Sequence, residues 1–157
     1  MQLDEACLSE LRCAAEIQDS NPLQTEVLHL EDFDLPTTTP LMAKMRQTLN
    51  HGTGFTIIDR LPVDVVSPER APQLYRILMN LIAQPVAQKW DGTVMHDIQE
   101  NGVKTAPGNG STASKTNQEQ GYHTRNVFNL PQDFVAPFCT RPAVGGGESG
   151  IVTFASV

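Results

Sequence analysis

A polar segment at residues 101–120 divides the chain into two parts with different patterns of apolar residues. The segment, NGVKTAPGNGSTASKTNQEQ, has almost no apolar content and no periodicity. Before it, apolar residues recur at helical spacing, and after it they come in short runs broken by proline and glycine. A loop of this length without its own structure is usually functional or disordered. The pattern therefore predicts a flexible, lid-like loop at 101–120.

Two helices are predicted in the first third of the chain. Apolar residues at mostly helical spacing predict the first over 3–18, with Asp4 well placed at its positive N-terminal end. Thr39 and Pro40 then have the pattern of an N-cap followed by proline at the first helical position. The asparagine and glycine within 50–52 predict the end of this second helix.

The strongest helix start in the sequence precedes a third apolar stripe. The Ser67 hydroxyl can accept a hydrogen bond from a free amide at a helix start. Pro68 has no amide hydrogen, but the first helical position does not need one, and Glu69 adds an acid to the first turn. Pro85 predicts the end of this helix. Its apolar stripe consists of Leu74, Ile77, Leu78, Leu81 and Ile82.

Several short stretches have the alternation or the β-branched content of strands. Residues 53–60, TGFTIIDR, place Phe55 and Ile57 on one face, and 28–33 and 93–98 are further strand candidates. After the polar segment, short apolar runs separated by turn residues predict a sandwich or jelly-roll sheet. These later runs are 127–128, 134–139 and 151–154.

Composition narrows the class of protein. The 157 residues suffice for one domain and one core, with 39% apolar and 18% charged residues. A net charge of −7 argues against a nucleic-acid partner, whose phosphates require a basic surface. No apolar run is long enough for a membrane span, and the acidic opening MQLDEACLSEL lacks the layout of a signal peptide. Three cysteines without paired metal spacing predict free thiols in a reducing cytoplasm.

The order of segments resembles a known enzyme family. GTGFTIIDRLPVD at 52–64 is followed by the third predicted helix, AQPVAQKWDGTVMHDI, the polar segment, GYHTRN and PQDFVAPFCTRPAVGGGESGIVT. This order is similar to the N-terminal half of the TauD/TfdA-like dioxygenases, in particular the clavaminate synthase-like amino-acid oxygenases of natural-product pathways. The resemblance runs from about residue 52 onward and depends on order and spacing rather than on one motif.

The resemblance implies an Fe(II)- and 2-oxoglutarate-dependent oxygenase that acts on a small molecule such as an amino acid. It also implies an α+β fold: a partial double-stranded β-helix, or jelly-roll, with N-terminal helices packed on the sheet. In this family two histidines and one carboxylate hold the metal on one face. By resemblance His123 is a metal ligand, Ser149 contacts the co-substrate, and Asn126 lies near the substrate.

The sequence departs from the family at the carboxylate of the His-x-Asp motif, where it has Arg125. Arginine has no acceptor atom and cannot ligate iron. A guanidinium in this position can instead pair with a carboxylate of a substrate. Arg125 is therefore a candidate substrate-binding residue.

A second departure concerns the family's distal histidine and 2-oxoglutarate-binding arginine, which no residue up to Val157 supplies. His29, His51 and His96 all precede the motif. Residues 1–157 are thus expected to form a single domain that is incomplete at its C-terminal side. Three alternatives follow: half of a split protein completed by a second chain, a degenerate non-catalytic member that binds a partner or a small carboxylate, or a gene fragment.

The glycine run at 145–147 has a simpler interpretation than a ligand site. GGGESG lacks the lysine and the spacing of a phosphate-binding loop. Ser149 has no G-x-S-x-G setting and no histidine after it, which argues against a serine hydrolase. The run is predicted to form a tight turn.

Overall fold

A computed structural model describes residues 1–23, 25–63, 66–87, 91–98, 132–142, 144–146 and 148–151. The chain divides into two compact units. One comprises Met1–Pro85 with Ala136–Val157, and the other comprises Val86–Val135.

The first helix, α1, spans Glu5–Ser20, and its prediction is confirmed with a shift of two residues toward the C-terminus. Asp4 is its N-cap, and a carboxylate oxygen of Asp4 accepts a hydrogen bond of 2.9 Å from the Cys7 amide. This bond satisfies one of the amide groups that a helix leaves unpaired at its start. Ile17, an apolar residue within the range predicted for this helix, is exposed. The buried face consists of Cys7, Leu11, Ala14, Ala15 and Gln18.

The second helix, α2, spans Thr38–His51, so the predicted N-cap at Thr39 is wrong. Thr37 is in the N-cap position, but its side chain makes no capping bond. The cap comes from α1 instead. The two carboxylate oxygens of Glu10 accept hydrogen bonds from the amides of Thr37, at 2.7 Å, and Thr38, at 2.8 Å.

The predicted end of α2 is confirmed at Gly52, whose amide donates to the Thr48 carbonyl at 2.9 Å. A Cβ atom on Gly52 would lie 2.8 Å from that carbonyl oxygen, which is closer than real Cβ atoms approach. Any residue other than glycine would therefore force the backbone to move at the end of α2.

The third helix, α3, spans Ala71–Ile82 with Arg70 in the N-cap position, so the predicted cap at Ser67 and helix start at Pro68 are wrong. Ser67 instead begins the turn that precedes the helix. The Ser67 carbonyl accepts from the amides of Arg70 and Ala71, at 2.9 and 3.3 Å, which leads the chain into the helix. Four of the five residues predicted for its apolar stripe are buried, and the fifth, Leu81, is half-buried. The four buried ones are Leu74, Ile77, Leu78 and Ile82.

The core of this unit lies where the three helices meet. α3 contacts α1, α2 and two short 3-10 helices, Thr25–Val27 and Leu30–Asp32. Its largest fully buried apolar side chains are Leu11, Met42, Met45, Leu74, Ile77 and Leu78.

The α+β prediction, with a partial double-stranded β-helix or jelly-roll sheet, is wrong for the described part of the chain. Those residues form helices and irregular segments and contain no strand. The 28–33 stretch contains the 3-10 helix Leu30–Asp32, while 53–60, 93–98 and 134–139 have no assigned secondary structure. A helix forms its backbone hydrogen bonds between residues close in sequence, whereas a strand needs a second strand to bond with. An alternating pattern with β-branched residues therefore does not by itself produce a sheet. The strand predicted at 127–128 and most of that at 151–154 lie outside the described residues.

The Val86–Val135 unit has no helix or strand in its described residues. Asp91 closes a local turn there: its Oδ1 atom accepts from the Thr93 amide at 2.9 Å and from the Thr93 hydroxyl at 2.5 Å. The predicted lid at 101–120 lies outside the described residues. Over the described parts of both units, no helix is long and apolar enough to cross a membrane.

Candidate functional site

Three of the four predicted site residues, His123, Arg125 and Asn126, lie outside the described residues, so their roles stay predictions. The fourth, Ser149, is exposed and belongs to a segment without regular structure. Nearby, Gly146 has a φ angle of 73°, a left-handed conformation that favours glycine. The chain bends at 144–145, beside this glycine, and the predicted tight turn extends to Gly147, which lies outside the described residues.

The other histidines do not converge. His29 precedes the short 3-10 helix Leu30–Asp32, His51 ends α2, and both are exposed. His96 is half-buried and belongs to the Val86–Val135 unit. Within the described ranges, no group of three or more histidine, cysteine, aspartate or glutamate side chains could hold a metal ion.

A small polar groove lies between α1 and the turn that precedes α3. Its volume is about 160 Å³, below the range of roughly 300–1,000 Å³ typical of ligand pockets. Its two best-placed charges are already paired: Arg12 with Glu5 at 2.6 Å, and Asp19 with Arg70 at 2.7 Å. A ligand would have to displace these pairs. The groove is lined by Arg12, Ala15, Glu16, Asp19, Val66 and Ser67.

A polar network beneath this groove has a structural role. Arg70 donates to the Gln73 side-chain oxygen at 2.9 Å, and the side-chain NH₂ group of Gln73 donates to the Leu23 carbonyl at 2.9 Å. The Leu23 amide in turn donates to the side chain of Gln18 at 3.2 Å. Gln18 and Gln73 are both buried, and these bonds meet the hydrogen-bonding needs that burial imposes. The network fixes the loop after α1 against α3.

Two side chains at the contact between α1 and α2 have shifted pKa values. Burial raises the pKa of Glu10, but hydrogen bonds from Thr38 and Thr37 outweigh it, so the pKa lies below its ordinary value. Burial raises the pKa of the neighbouring Cys7 thiol. Because the thiolate is the reactive form, this shift and the burial of Cys7 lower its reactivity.

An aromatic contact joins the chain after Ala136 to α3. The rings of Tyr75 and Phe138 are stacked, with centroids 5.1 Å apart and planes inclined by 7°. The Tyr75 hydroxyl also donates to the Ala136 carbonyl. Burial raises the pKa of Tyr75. Tyr75 therefore anchors the segment that begins PFCTRP at residue 137 to the outer side of the helix.

Glu10 and Tyr75 are structural residues that the sequence did not predict, as are the buried Gln18 and Gln73. A glutamate on an amphipathic helix has no sequence signal for capping a second helix 27 and 28 residues away. Tyr75 has a weak signal, because a tyrosine beside an apolar stripe often combines ring packing with a hydroxyl bond.

Comparison with known proteins does not add to this picture. No family model, no curated protein and no solved structure matches the chain.

Proposed function

We propose that the chain is part of an Fe(II)- and 2-oxoglutarate-dependent oxygenase of the TauD/TfdA type, which acts on an amino acid or a similar small metabolite in natural-product biosynthesis. The observation that carries the proposal is the order of the sequence segments. The GTGFTIIDRLPVD segment, a helix, AQPVAQKWDGTVMHDI, GYHTRN and PQDFVAPFCTRP follow one another at the family's spacing. The helix α3, at Ala71–Ile82, lies where this order requires a helix.

In this proposal His123 is an iron ligand, Ser149 contacts 2-oxoglutarate, and Asn126 lies beside the substrate. When bound, the metal and the co-substrate would supply the oxidant. The exposure of Ser149 is compatible with a contact to a ligand that enters from solvent.

The residues of this chain do not by themselves fit an iron site. His123 offers one imidazole, and Arg125, two residues later, has no acceptor atom. A guanidinium about 5 Å from a dication would cost several kcal/mol at an effective dielectric near 20. No oxygenation step is therefore assigned to residues 1–157 by themselves, and in this proposal the remaining ligands come from outside them.

Anaerobic titration with Fe(II) and 2-oxoglutarate tests the proposal. The chain alone should give no metal-to-ligand charge-transfer band, whereas the chain mixed with the product of the adjacent reading frame should give one. His123→Ala should remove the band from the mixture, and His51→Ala, which changes an exposed histidine at the end of α2, should leave it. A mixture without the band, or a band insensitive to His123→Ala, would overturn the proposal.

A second candidate function is a non-catalytic protein that binds a small carboxylate through Arg125. The observation that favours it is arginine in place of a metal-binding carboxylate, since arginine forms strong bidentate hydrogen bonds with carboxylates. Binding of 2-oxoglutarate without metal should then be lost in Arg125→Asp and retained in Arg46→Asp, a change to an exposed arginine of α2. If Arg125→Asp instead gives iron binding and turnover, this candidate fails.

We assign both candidates to the cytoplasm. Cys7, Cys13 and Cys139 are free thiols, and two of them are exposed. Exposed unpaired thiols persist best in a reducing compartment.

A further inference from the structure

The segment 55–60 already accepts one strand-like partner. The Met1 amino group donates to the Ile57 carbonyl at 2.5 Å, and the Asp59 amide donates to the Met1 carbonyl at 2.9 Å. In a parallel bridge between two strands, a residue of one strand hydrogen-bonds to the two residues that flank its partner in the other strand. Met1 has this pattern. Met1 is thus paired with Ile58, and the Ile57 carbonyl and the Asp59 amide are used on that side.

The opposite edge of the same segment carries no hydrogen bond. In an extended chain the backbone groups of Thr56, Ile58 and Arg60 point away from Met1. Among the residues that the structure describes, none of these three takes part in a backbone hydrogen bond. An edge of this kind is a template for pairing with another chain.

Side-chain exposure alternates from Phe55 to Asp59 in the way that an extended conformation requires, and Arg60, which follows, is exposed as well. Phe55 and Ile57 are 42% and 61% exposed, and Asp59 is also exposed, whereas Thr56 and Ile58 are half-buried. One face therefore offers two apolar side chains followed by a carboxylate. This face adjoins the unused backbone edge.

We infer that residues 55–60 bind an extended segment of another polypeptide, which adds as a strand along the edge formed by Thr56, Ile58 and Arg60. The bound segment carries apolar side chains opposite Phe55 and Ile57 and a lysine or arginine opposite Asp59. Backbone hydrogen bonds provide the affinity in this binding mode, and alternate side chains provide the specificity. The inference is independent of the proposed function, because none of its residues belongs to the proposed iron or carboxylate site.

Charge argues for a basic partner rather than a second copy of this chain. Of the odd-numbered residues, only Asp59 has a charged side chain, and its carboxylate accepts one hydrogen bond from Gln2 at 3.0 Å. The Met1 ammonium belongs to the edge that is already paired, and Arg60 has an even-numbered position. In an antiparallel self-pair centred on Ile58, Asp59 would face Ile57 of the other copy, and in a parallel self-pair it would face a second Asp59. Like charges directly opposite each other destabilise strand pairing. The chain's net charge of −7 also repels a second copy and attracts a basic segment.

Fluorescence anisotropy with labelled peptides tests the inference. The probe is an eight-residue peptide of alternating valine and threonine with a lysine near each end, and the controls are its scrambled form and a form with glutamates in place of the lysines. The lysine peptide should bind, and the glutamate form should bind about tenfold more weakly. Hydrogen exchange should show new protection of the amides of Thr56, Ile58 and Arg60 when the peptide is present. Equal binding of all three peptides would overturn the inference.

Two variants separate backbone pairing from charge. Ile58→Pro removes the outward amide and leaves both bonds to Met1, so it should abolish peptide binding, while Ile58→Val should retain it. Asp59→Lys should reverse the preference, so that the glutamate peptide binds better than the lysine peptide. This outcome does not depend on whether the proline variant folds.

Two results would assign the edge to a different occupant. If the peptide-free chain sediments as a dimer and Ile58→Pro dissociates it, the edge binds a second copy of this chain. Protection of the Ile58 amide in the free monomer would assign it to another part of this chain, and either result would overturn the inference.

Discussion

α3 and the first turn of α2 belong to the same helical unit but are held in different ways. α3 buries Leu74, Ile77 and Leu78 against both other helices, so its position depends mainly on apolar burial. α2 begins where a carboxylate from α1 accepts two of its first amide groups. Apolar burial is insensitive to pH, whereas a carboxylate cap holds only while it is ionised. The two helices should therefore respond differently to substitution and to acid.

Leu78→Ala should have the largest effect on the apolar side of this comparison. Leu78 is fully buried, and removal of such a side chain costs about 2–5 kcal/mol through lost transfer energy and the cavity that remains. Urea unfolding followed by far-UV circular dichroism measures the loss. Leu81→Ala, at a half-buried position of the same helix, is the matched control and should cost clearly less. Equal losses for the two variants would show that α3 is not held by the core described here.

Glu10→Gln addresses the polar side and should cost about 1–2 kcal/mol in the free energy of unfolding. The substitution keeps one acceptor oxygen but places an NH₂ group opposite a backbone amide, and it removes the charge that strengthens both bonds. Glu16→Gln, which changes an exposed carboxylate of the same helix, is the control and should be nearly neutral. If both substitutions have the same effect, the cap contributes nothing measurable to stability.

Acid should distinguish the two modes of attachment directly. The pKa of Glu10 is lowered in the folded chain from an ordinary value of 4.5, so the folded state favours the ionised form. The stability that Glu10 contributes is therefore complete above about pH 4.5 and is lost as the pH falls through the lowered folded pKa. Chemical unfolding at pH 7 and at pH 3 should show a smaller acid-induced loss for Glu10→Gln than for the wild type. Identical losses would assign the acid sensitivity to other carboxylates, such as Asp4, whose pKa is also lowered, mainly by its bond from the Cys7 amide.

Tyr75→Phe should have the smallest effect, about 1 kcal/mol or less, because it removes one hydroxyl bond and keeps the ring stack. The change should be local. Hydrogen exchange of the residues around Phe138 should accelerate, while that of α1 and α2 should stay unchanged. Phe138→Leu removes the stack instead of the hydroxyl bond and should accelerate the same amides further. An unchanged exchange rate in both variants would show that this contact does not restrain the segment.

The features of the fold that sequence could predict are those whose causes lie close together in the chain. The acid predicted near the start of α1, Asp4, lies there, and Gly52 ends α2, and each acts within about one helical turn. Ser67, predicted as the cap of α3, opens the turn before that helix instead. The stripe of α3 was predicted almost completely because a strong 3.6-residue period has few alternative explanations.

The features that sequence did not predict depend on residues far apart. The cap was expected from Thr39, but the first amides of α2 donate instead to a carboxylate on another helix, Glu10. The strand predicted at 53–60 alternates in exposure from Phe55 to Asp59, but among the described residues only Met1 pairs with that part of it. Strand propensity measures fit to a sheet, and it does not supply the second strand. For His123, Arg125 and Asn126 the sequence remains the basis of the functional prediction.

The burial of Cys7 makes its alkylation a measure of how often α1 separates from α2. Cys7 is 1% exposed at the contact between α1 and α2, whereas Cys13 and Cys139 are exposed. An alkylating reagent therefore meets two thiols at once and the third only when α1 lifts away from α2. The rate at which Cys7 is alkylated therefore measures the frequency of this separation under native conditions, without denaturant and without a probe introduced into the chain.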